Sequence, residues 1–290
     1  MIKLTHKLFS TLILLSLSWI SHAQDIQYSQ LPISVQLHSV KDDVIADFEG
    51  TLRKIADIGF EGVEFAGRYG PYQNDPKGLK QFLNTLGLKV SGAHIGVPQL
   101  RGQKGDENLA FLKALGAKLL IIPHDPRIDN PAKIDELMQE LTTLSEKVNE
   151  MGMHLGYHNH SKEFKTFKNS TYWDYLAQNT PKNFFLQLDI GWANYAGENP
   201  HEYIKKYPNR TLTTHIKIRT VKDKALMDKI DRSSAIVIGQ DKFNWPALVK
   251  TMKDYGGTQW LVVEQEETHV GQTRMQAVEA SYHGLKRLLN

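Results

Sequence analysis

The chain has 290 residues, 41% of them hydrophobic, with no cysteine and 35 basic against 32 acidic side chains. The absence of thiols excludes disulfide bridges, cysteine nucleophiles and cysteine-ligated zinc sites. The nearly balanced charge argues against a nucleic-acid-binding protein, because nucleic-acid grooves are strongly basic.

The first predicted element is a secretory signal peptide at residues 1–23. Lys3 and Lys7 form a positive start, an apolar run follows, and Ser21-His22-Ala23 has the small residues that precede a cleavage site. The apolar run, about 12 residues long, is too short to span the roughly 30 Å of membrane hydrocarbon. We therefore predict cleavage after Ala23, export to the periplasm, no membrane anchor after processing, and one catalytic domain over residues 24–290.

From residue 33 onward, short runs rich in β-branched residues alternate with longer amphipathic runs. The short runs predict eight strands, at 33–37, 62–65, 89–94, 118–123, 153–158, 184–189, 211–218 and 259–264. Helical spacing between and after them predicts helices at 44–58, 77–86, 106–115, 131–151, 171–179, 200–206, 245–255 and 271–289. Several of these helices are predicted to stop at a glycine, namely Gly59, Gly87, Gly116, Gly152 and Gly256.

Strict alternation of strands and helices indicates parallel strands, and eight such units predict a single (β/α)8 barrel of the α/β class, the TIM barrel. An open doubly wound sheet is the alternative, although no glycine-rich phosphate-binding motif follows the first strand. The longest irregular stretch, Thr220–Lys242, follows the seventh strand. In a barrel it would form a loop over the C-terminal strand ends, where a substrate lid belongs.

Histidines are concentrated at the predicted C-terminal ends of the strands, which is where (β/α)8 barrels hold their active sites. Chance would put about one histidine there if about three positions are counted per strand end. Six histidines lie at these ends, namely His38, His94, His124, His158, His160 and His215. This excess indicates a functional cluster.

Three acidic residues close apolar strands: Glu64 on strand 2, Asp189 on strand 6 and Glu264 on strand 8. A carboxylate in that position is costly to desolvate unless it is paired, hydrogen-bonded or bound to a cation. An ion pair with Lys217 or Arg219 is the structural alternative. Two carboxylates and two imidazoles converging on one mouth would suit Mn²⁺, Co²⁺, Zn²⁺ or Fe²⁺ better than Ca²⁺.

Five short motifs follow one another in strand order. They are Gly62-Val-Glu-Phe, Tyr157-His-Asn-His, Leu188-Asp-Ile-Gly-Trp-Ala, Thr214-His-Ile-Lys and Val263-Glu. Together they resemble the sugar phosphate isomerase/epimerase family of xylose isomerase-like barrels, which includes ketose 3-epimerases and inosose dehydratases. The resemblance implies a carbohydrate substrate and one divalent metal ion, with Mn, Co or Zn ahead of Mg or Fe. It implies one metal ligand from each of strands 5 to 8, here His158, Asp189, His215 and Glu264.

One of these residues departs from the ketose epimerase pattern. Those enzymes carry a glutamate on strand 5 that binds metal and moves a proton, and this chain has His158 there. A metal-bound imidazole cannot readily act as that base, so this histidine argues against epimerisation by two glutamates and favours the dehydratases. Two reactions stay open: isomerisation or epimerisation of a sugar, and elimination of a β-substituent from a keto-sugar or 3-keto-glycoside. Either would use a cation-stabilised enolate.

Roles follow for the remaining polar residues at the strand ends. Acid–base chemistry is expected of Glu264, with His160 and Glu64 as further candidates, and Lys217 would bind a substrate oxygen or pair with Asp189. Trp192 would stack on a sugar face or fill a packing position. Substrate binding is expected of His38, His94, His124, Trp192 and Glu163, of which Glu163 is also a possible base.

Two other classes of protein compete with a sugar enzyme. An endonuclease IV-like phosphodiesterase would share the barrel but needs a basic groove. A non-catalytic barrel would bind sugar unchanged after metal removal. The expected partner is a small carbohydrate, and a homo-oligomer is compatible with the sequence.

Overall fold

Eight parallel strands close into a barrel in the computed structural model, which describes residues 30–219 and 236–290. In chain order they are β1 (Ile33–Gln36), β2 (Gly62–Phe65), β3 (Lys89–His94), β4 (Leu119–Ile122), β5 (His154–His158), β6 (Phe185–Asp189), β7 (Thr213–Ile216) and β8 (Trp260–Val263). Each strand pairs with its neighbours in the sequence, and β1 pairs with β8 to close the ring. The predicted (β/α)8 barrel is confirmed and the open sheet is excluded.

The strands are connected by helices whose apolar faces cover the outside of the barrel. They are α1 (Lys41–Ala46), α2 (Phe48–Ile58), α3 (Pro76–Thr85), α4 (Gly102–Leu115), α5 (Ile134–Glu150), α6 (Tyr172–Gln178), α7 (Ile190–Tyr195), α8 (Pro200–Lys206), α9 (Trp245–Thr251) and α10 (Arg274–Leu289). The predicted helix 44–58 is divided at Asp47, whose carboxylate caps α2 by accepting the amide of Gly50 at 2.9 Å.

Most of the predicted helix-stop glycines adopt the left-handed backbone conformation that such a position requires. The φ angles are 108° at Gly59, 71° at Gly87, 96° at Gly116 and 75° at Gly152. The prediction for Gly256 is wrong by one residue. The chain makes a π-helical turn over Met252–Gly256 after α9, so the reversal falls on Gly257, with φ 65°.

Alternate residues of each strand point into the barrel. These inward residues form an apolar layer and a polar layer. Near the N-terminal ends of the strands, Leu119, Ile121 and Phe185 form an apolar cluster that we call the barrel floor. Gly156 makes room for it, since a Cβ atom at this position would lie 2.6 Å from the Phe185 ring. Towards the C-terminal ends, the inward positions hold polar and charged side chains.

Two predictions concern residues for which the structure gives no description. The signal peptide at 1–23 lies outside the described residues, as does most of the loop Thr220–Lys242. Of the helices that are described, none is both long and apolar enough to cross a membrane.

Candidate metal and substrate site

Four side chains meet at the C-terminal end of the barrel, one from each of the strands β5 to β8. One ligand atom from each lies within 4.8 Å of the others, and all four residues are buried. They are His158, which ends β5, Asp189, which ends β6, His215 in β7, and Glu264 directly after β8. These are the four residues for which the resemblance implies metal ligation, and we call them the ligand cluster.

The donor atoms of the ligand cluster fit a divalent cation. Oδ2 of Asp189 is buried without a hydrogen-bond partner among the described residues, 3.8 Å from Nε2 of His158 and 3.7 Å from Nδ1 of His215. Oε2 of Glu264 lies 3.0 Å from the same Nδ1 atom. A buried carboxylate oxygen that accepts no hydrogen bond is costly unless a cation takes its lone pair.

The charges around the cluster also suit a divalent ion. Lys217 contacts the carboxylates of Asp189, Glu264 and Glu266, and Arg219 contacts that of Glu266. The carboxylate of Glu64 instead faces the imidazoles of His215 and His94. Four acidic against two basic groups leave two negative charges. Despite burial, Glu264 and Glu64 raise the pKa of His215 well above its usual value, so this imidazole carries one balancing proton, which a divalent cation would displace. Burial, together with the nearby His215 and His160, holds the pKa of His158 well below its usual value, so this imidazole is neutral.

Lys217 lies among three carboxylates at the edge of the cluster. Its Nζ atom is 2.6 Å from Oε2 of Glu266, 2.9 Å from Oε2 of Glu264 and 3.7 Å from Oδ2 of Asp189. Burial alone would lower the pKa of Lys217, but Glu264 and Asp189 raise it above its usual value. The side chain is therefore charged. It pairs with Asp189 and also lines a cavity above the ligand cluster.

Glu64 lies beneath the cluster and contacts His215 from the other side of the ring. Its Oε1 atom is 2.7 Å from Nε2 of His215 and 3.1 Å from Nε2 of His94. The side-chain amide of Gln36 donates to Oε1 at 2.8 Å, and that of Gln187 donates to Oε2 at 2.7 Å. Burial opposes ionisation, yet the two histidines hold the pKa of Glu64 well below its usual range. If Nε2–H of His215 donates to Glu64, Nδ1 is left for a metal. This position suits orientation of His215 better than proton transfer to a substrate.

Gln36, Gln187 and Glu266 were not singled out from the sequence, although a signal exists for the two glutamines. Each is a polar residue within an apolar strand, two positions before a predicted site residue (His38 and Asp189). Gln187 shares the inward face of its strand with Asp189, whereas His38 lies in a 3-10 turn directly after β1. Close packing here depends on Gly92, where a Cβ atom would lie 2.9 Å from Oε2 of Glu64.

A cavity of about 580 Å³ lies above the ligand cluster, and we call it the first cavity. It brings together most of the predicted site residues, namely His38, His94, His124, His158, His160, Lys217 and Glu264. Two predicted substrate-binding residues, Trp192 and Glu163, are not among the described residues that line it. Trp192 is partly exposed, and the guanidinium carbon of Arg219 lies 3.8 Å from the centre of its ring.

Glu163 is buried behind His160 and accepts the backbone amide of that residue at 2.7 Å. Its other oxygen has no partner within the described part of the chain, and burial raises the pKa of Glu163 to about 7. Burial lowers the pKa of His160 to about 4, so this imidazole is neutral near pH 7. A neutral imidazole therefore stands in the cavity wall next to the ligand cluster.

Comparison with known proteins agrees with the fold. The model of the xylose isomerase-like TIM barrel family matches residues 52–288. The chain belongs to this family. Inosose dehydratase of Clostridium perfringens is 28% identical over 252 residues, which cover 76% of this chain and 82% of that protein. The rhizopine catabolism protein MocC of Rhizobium meliloti is 25% identical, covering 76% of this chain and 74% of that protein.

Solved structures share the barrel at lower sequence identity. A sugar phosphate isomerase/epimerase from Parabacteroides distasonis matches with a TM-score of 0.75 and 22% identity, covering 91% of this chain and 99% of the other. An L-ribulose 3-epimerase matches with a TM-score of 0.63 and 15% identity, covering 89% and 96%. The resemblance expected from the five motifs is confirmed. The relatives include proteins named inosose dehydratases, and solved structures with the same barrel include a sugar phosphate isomerase/epimerase and an L-ribulose 3-epimerase.

Proposed function

We propose that this chain is an exported, metal-dependent lyase that eliminates a β-substituent from a keto-sugar. The proposal is supported above all by the ligand cluster of His158, Asp189, His215 and Glu264 below a cavity large enough for a sugar. Two imidazoles and two carboxylates suit Mn²⁺, Co²⁺ or Zn²⁺, with Mg²⁺ or Fe²⁺ as alternatives. When bound, such a cation would polarise the substrate carbonyl and stabilise the negative charge that develops on it.

Elimination is favoured over epimerisation by where the carboxylates lie. An epimerase that uses two carboxylates needs them on opposite faces of the substrate, and β5 offers His158 instead. Glu64 and Glu163, the other candidate bases, are buried away from the first cavity. The carboxylates that line it within the described residues, Glu264 and Glu266, both follow β8. The similarity to proteins named inosose dehydratases points the same way.

In the proposed reaction His160 moves the proton, because it lines the first cavity beside His158 and carries a neutral imidazole. It takes the proton from the carbon next to the ketone, the freed electron pair forms a double bond, and the β C–O bond breaks. The same imidazole then returns the proton to the leaving oxygen. Lys217 binds a substrate oxygen through its ammonium group. Glu264 serves as a ligand rather than a base, because Lys217 and His215 hold its pKa well below the usual range despite burial.

The reaction can be tested with metal-loaded protein in D₂O, using ketohexoses and 3-keto-glycosides as substrates and NMR as the readout. Elimination releases water or an aglycone and creates an unsaturated product. Epimerisation returns a saturated sugar with deuterium at the inverted carbon. Turnover of plain ketoses with deuterium uptake, and no elimination from any keto-glycoside, would overturn the proposed lyase activity.

The role of His160 has its own test. His160→Gln should lower kcat by about 10²–10⁴-fold, the usual contribution of a positioned acid–base group. His124→Gln changes another histidine of the same cavity wall and should alter kcat by only a few fold. Equal effects of the two substitutions would remove His160 from the proton path.

Export forms part of the same proposal and rests on the composition of residues 1–23. The intact mass of the protein from a periplasmic fraction should correspond to a chain that begins at Gln24. An unprocessed chain recovered from the cytoplasm would contradict it.

A further inference from the structure

A second cavity of about 620 Å³ adjoins the first. It lies between α4 and the loops that follow β2 and β3. The two cavities share four lining residues, namely Gly67, His94, Ile95 and Gln99. Since His94 also contacts Glu64 beneath the ligand cluster, the second cavity begins directly beside the reaction centre.

The lining of the second cavity differs from that of the first. Tyr69 and Phe111 contribute half-buried aromatic rings whose centres are 4.6 Å apart. Its charged side chains include Lys104 and Glu107, which pair with each other at 3.2 Å. Its amide side chains are those of Gln73, Asn74, Gln99 and Asn108. Aromatic rings and amides around paired charges suit a neutral, hydroxyl-bearing ring better than a phosphate.

We propose that the second cavity binds the leaving group of the substrate, and that this group is a neutral sugar ring. This inference rests on the proposed lyase function and makes its substrate a keto-glycoside of two rings. Each cavity lies within the range of about 300–1,000 Å³ that is typical of small-molecule sites, so the pair accommodates two linked rings.

The bond changes follow from this placement. The keto-sugar ring lies in the first cavity and loses the proton on the carbon next to its ketone. The electron pair of that C–H bond forms a carbon–carbon double bond, and the neighbouring bond to the glycosidic oxygen breaks. This oxygen takes the proton and leaves as a hydroxyl of the second ring. The products are one unsaturated keto-sugar and one intact sugar, and no oxidant or reductant is consumed.

The site can be blocked without touching the ligand cluster. Ala110 is exposed on α4 and lines only the second cavity, so Ala110→Trp should fill it. Lys113→Trp is the matched control, an exposed position on the same helix that lines neither cavity. For the metal-loaded enzyme, Ala110→Trp should lower kcat/KM for a keto-disaccharide about tenfold, the loss expected when ring packing is prevented. It should change kcat/KM for the methyl keto-glycoside of the same keto-sugar by less than about twofold.

Binding of the corresponding unoxidised disaccharide, measured calorimetrically, gives a readout that needs no turnover. It should be about tenfold weaker in Ala110→Trp and unchanged in Lys113→Trp. Equal effects on both substrates, or unchanged disaccharide binding in Ala110→Trp, would overturn the second site even if elimination is observed. If the wild type eliminates neither substrate, the lyase proposal fails. Disaccharide binding alone then shows whether the second cavity binds a sugar ring. Gln73→Trp blocks the cavity from the opposite wall if Ala110→Trp does not fold.

Discussion

The two layers inside the barrel meet on β6 and have opposite chemistry. On β6, Phe185 belongs to the apolar floor, Asp189 belongs to the ligand cluster, and only Gln187 points inward between them. The floor stabilises the fold by burying apolar surface in close packing. The upper layer buries charges that only partners or a cation can compensate. On β6, stability and chemistry are therefore separated by the single inward position of Gln187.

Removing one of the four metal ligands should have the largest effect, because it should abolish metal binding and turnover. Asp189→Asn keeps the oxygen that caps α7 at the amide of Trp192 but replaces the unpartnered Oδ2 with an amide. We expect loss of the metal, measured by elemental analysis after dialysis, and a fall in turnover of about 10³-fold or more. The control His124→Gln should keep about one equivalent of metal. A full metal content in Asp189→Asn would contradict the ligand assignment.

A substitution in the barrel floor should lower the stability of the fold and leave metal binding and turnover unchanged. Phe185→Ala leaves a void beside Gly156 and should lower the free energy of unfolding by about 3–5 kcal/mol in a denaturant titration. Phe185→Leu keeps most of the volume and should cost about 1 kcal/mol. In both variants the folded protein should keep its metal and its turnover. A large loss of activity with unchanged stability would show that the layers are not separate.

Glu64 lies between the two layers and should affect the affinity for the metal without being a ligand. Glu64→Gln removes the charge that orients His215 and should weaken metal binding by about 10–100-fold, as measured by competition with a chelator. Glu163→Gln is the matched control, since Glu163 contacts His160 through the backbone and none of the ligand atoms. Unchanged metal affinity in Glu64→Gln would restore Glu64 as a candidate for direct proton transfer.

The smallest effect concerns the dependence of stability on pH. Burial raises the pKa of Glu163 to about 7, above the value of 4.5 for an exposed glutamate. The folded state therefore holds this proton more tightly, and its contribution to stability is complete below about pH 4.5 and lost as the pH rises through 7. Between pH 6 and pH 8 the free energy of unfolding should fall by about 1 kcal/mol because of this group. In Glu163→Gln the same pair of denaturant titrations should show a smaller fall, and an identical fall would exclude Glu163 as its source.

The sequence predicts most of the barrel, because period and length suffice to recognise its strands and helices. The predicted strand 89–94 coincides with Lys89–His94, and the helix 200–206 with Pro200–Lys206. Breaks that depend on single caps are harder to recognise. Two helices illustrate this. The helix α2, which begins after Asp47 and divides the predicted helix 44–58, and the short α7, which begins after Asp189, are each capped by a carboxylate that accepts a backbone amide. The sequence also lacks a signal for the hairpin of Thr166–Phe167 with Ser170–Thr171 that is strong enough to predict it.

For the site, strand ends and motifs are sufficient to predict the four residues of the ligand cluster, because a barrel brings every strand end to one mouth. Which residue each side chain contacts depends on pairings across the barrel. Glu64 on β2 reaches His215 on β7, and Gln187 on β6 reaches Glu64. No local pattern reveals such pairings, so the position of Glu64 beneath the cluster and of Glu163 behind His160 emerges only from the folded chain.

The spread of the ligand cluster over four strands has a consequence for how the protein would acquire its metal. The ligands run from residue 158 to residue 264, so no short segment of the unfolded chain presents the complete set. An exported chain that crosses the membrane unfolded would carry no assembled site, and the choice of ion would fall to the folded barrel in its final compartment. The ions available there, rather than those of the cytoplasm where the chain is made, would then decide which metal the enzyme holds.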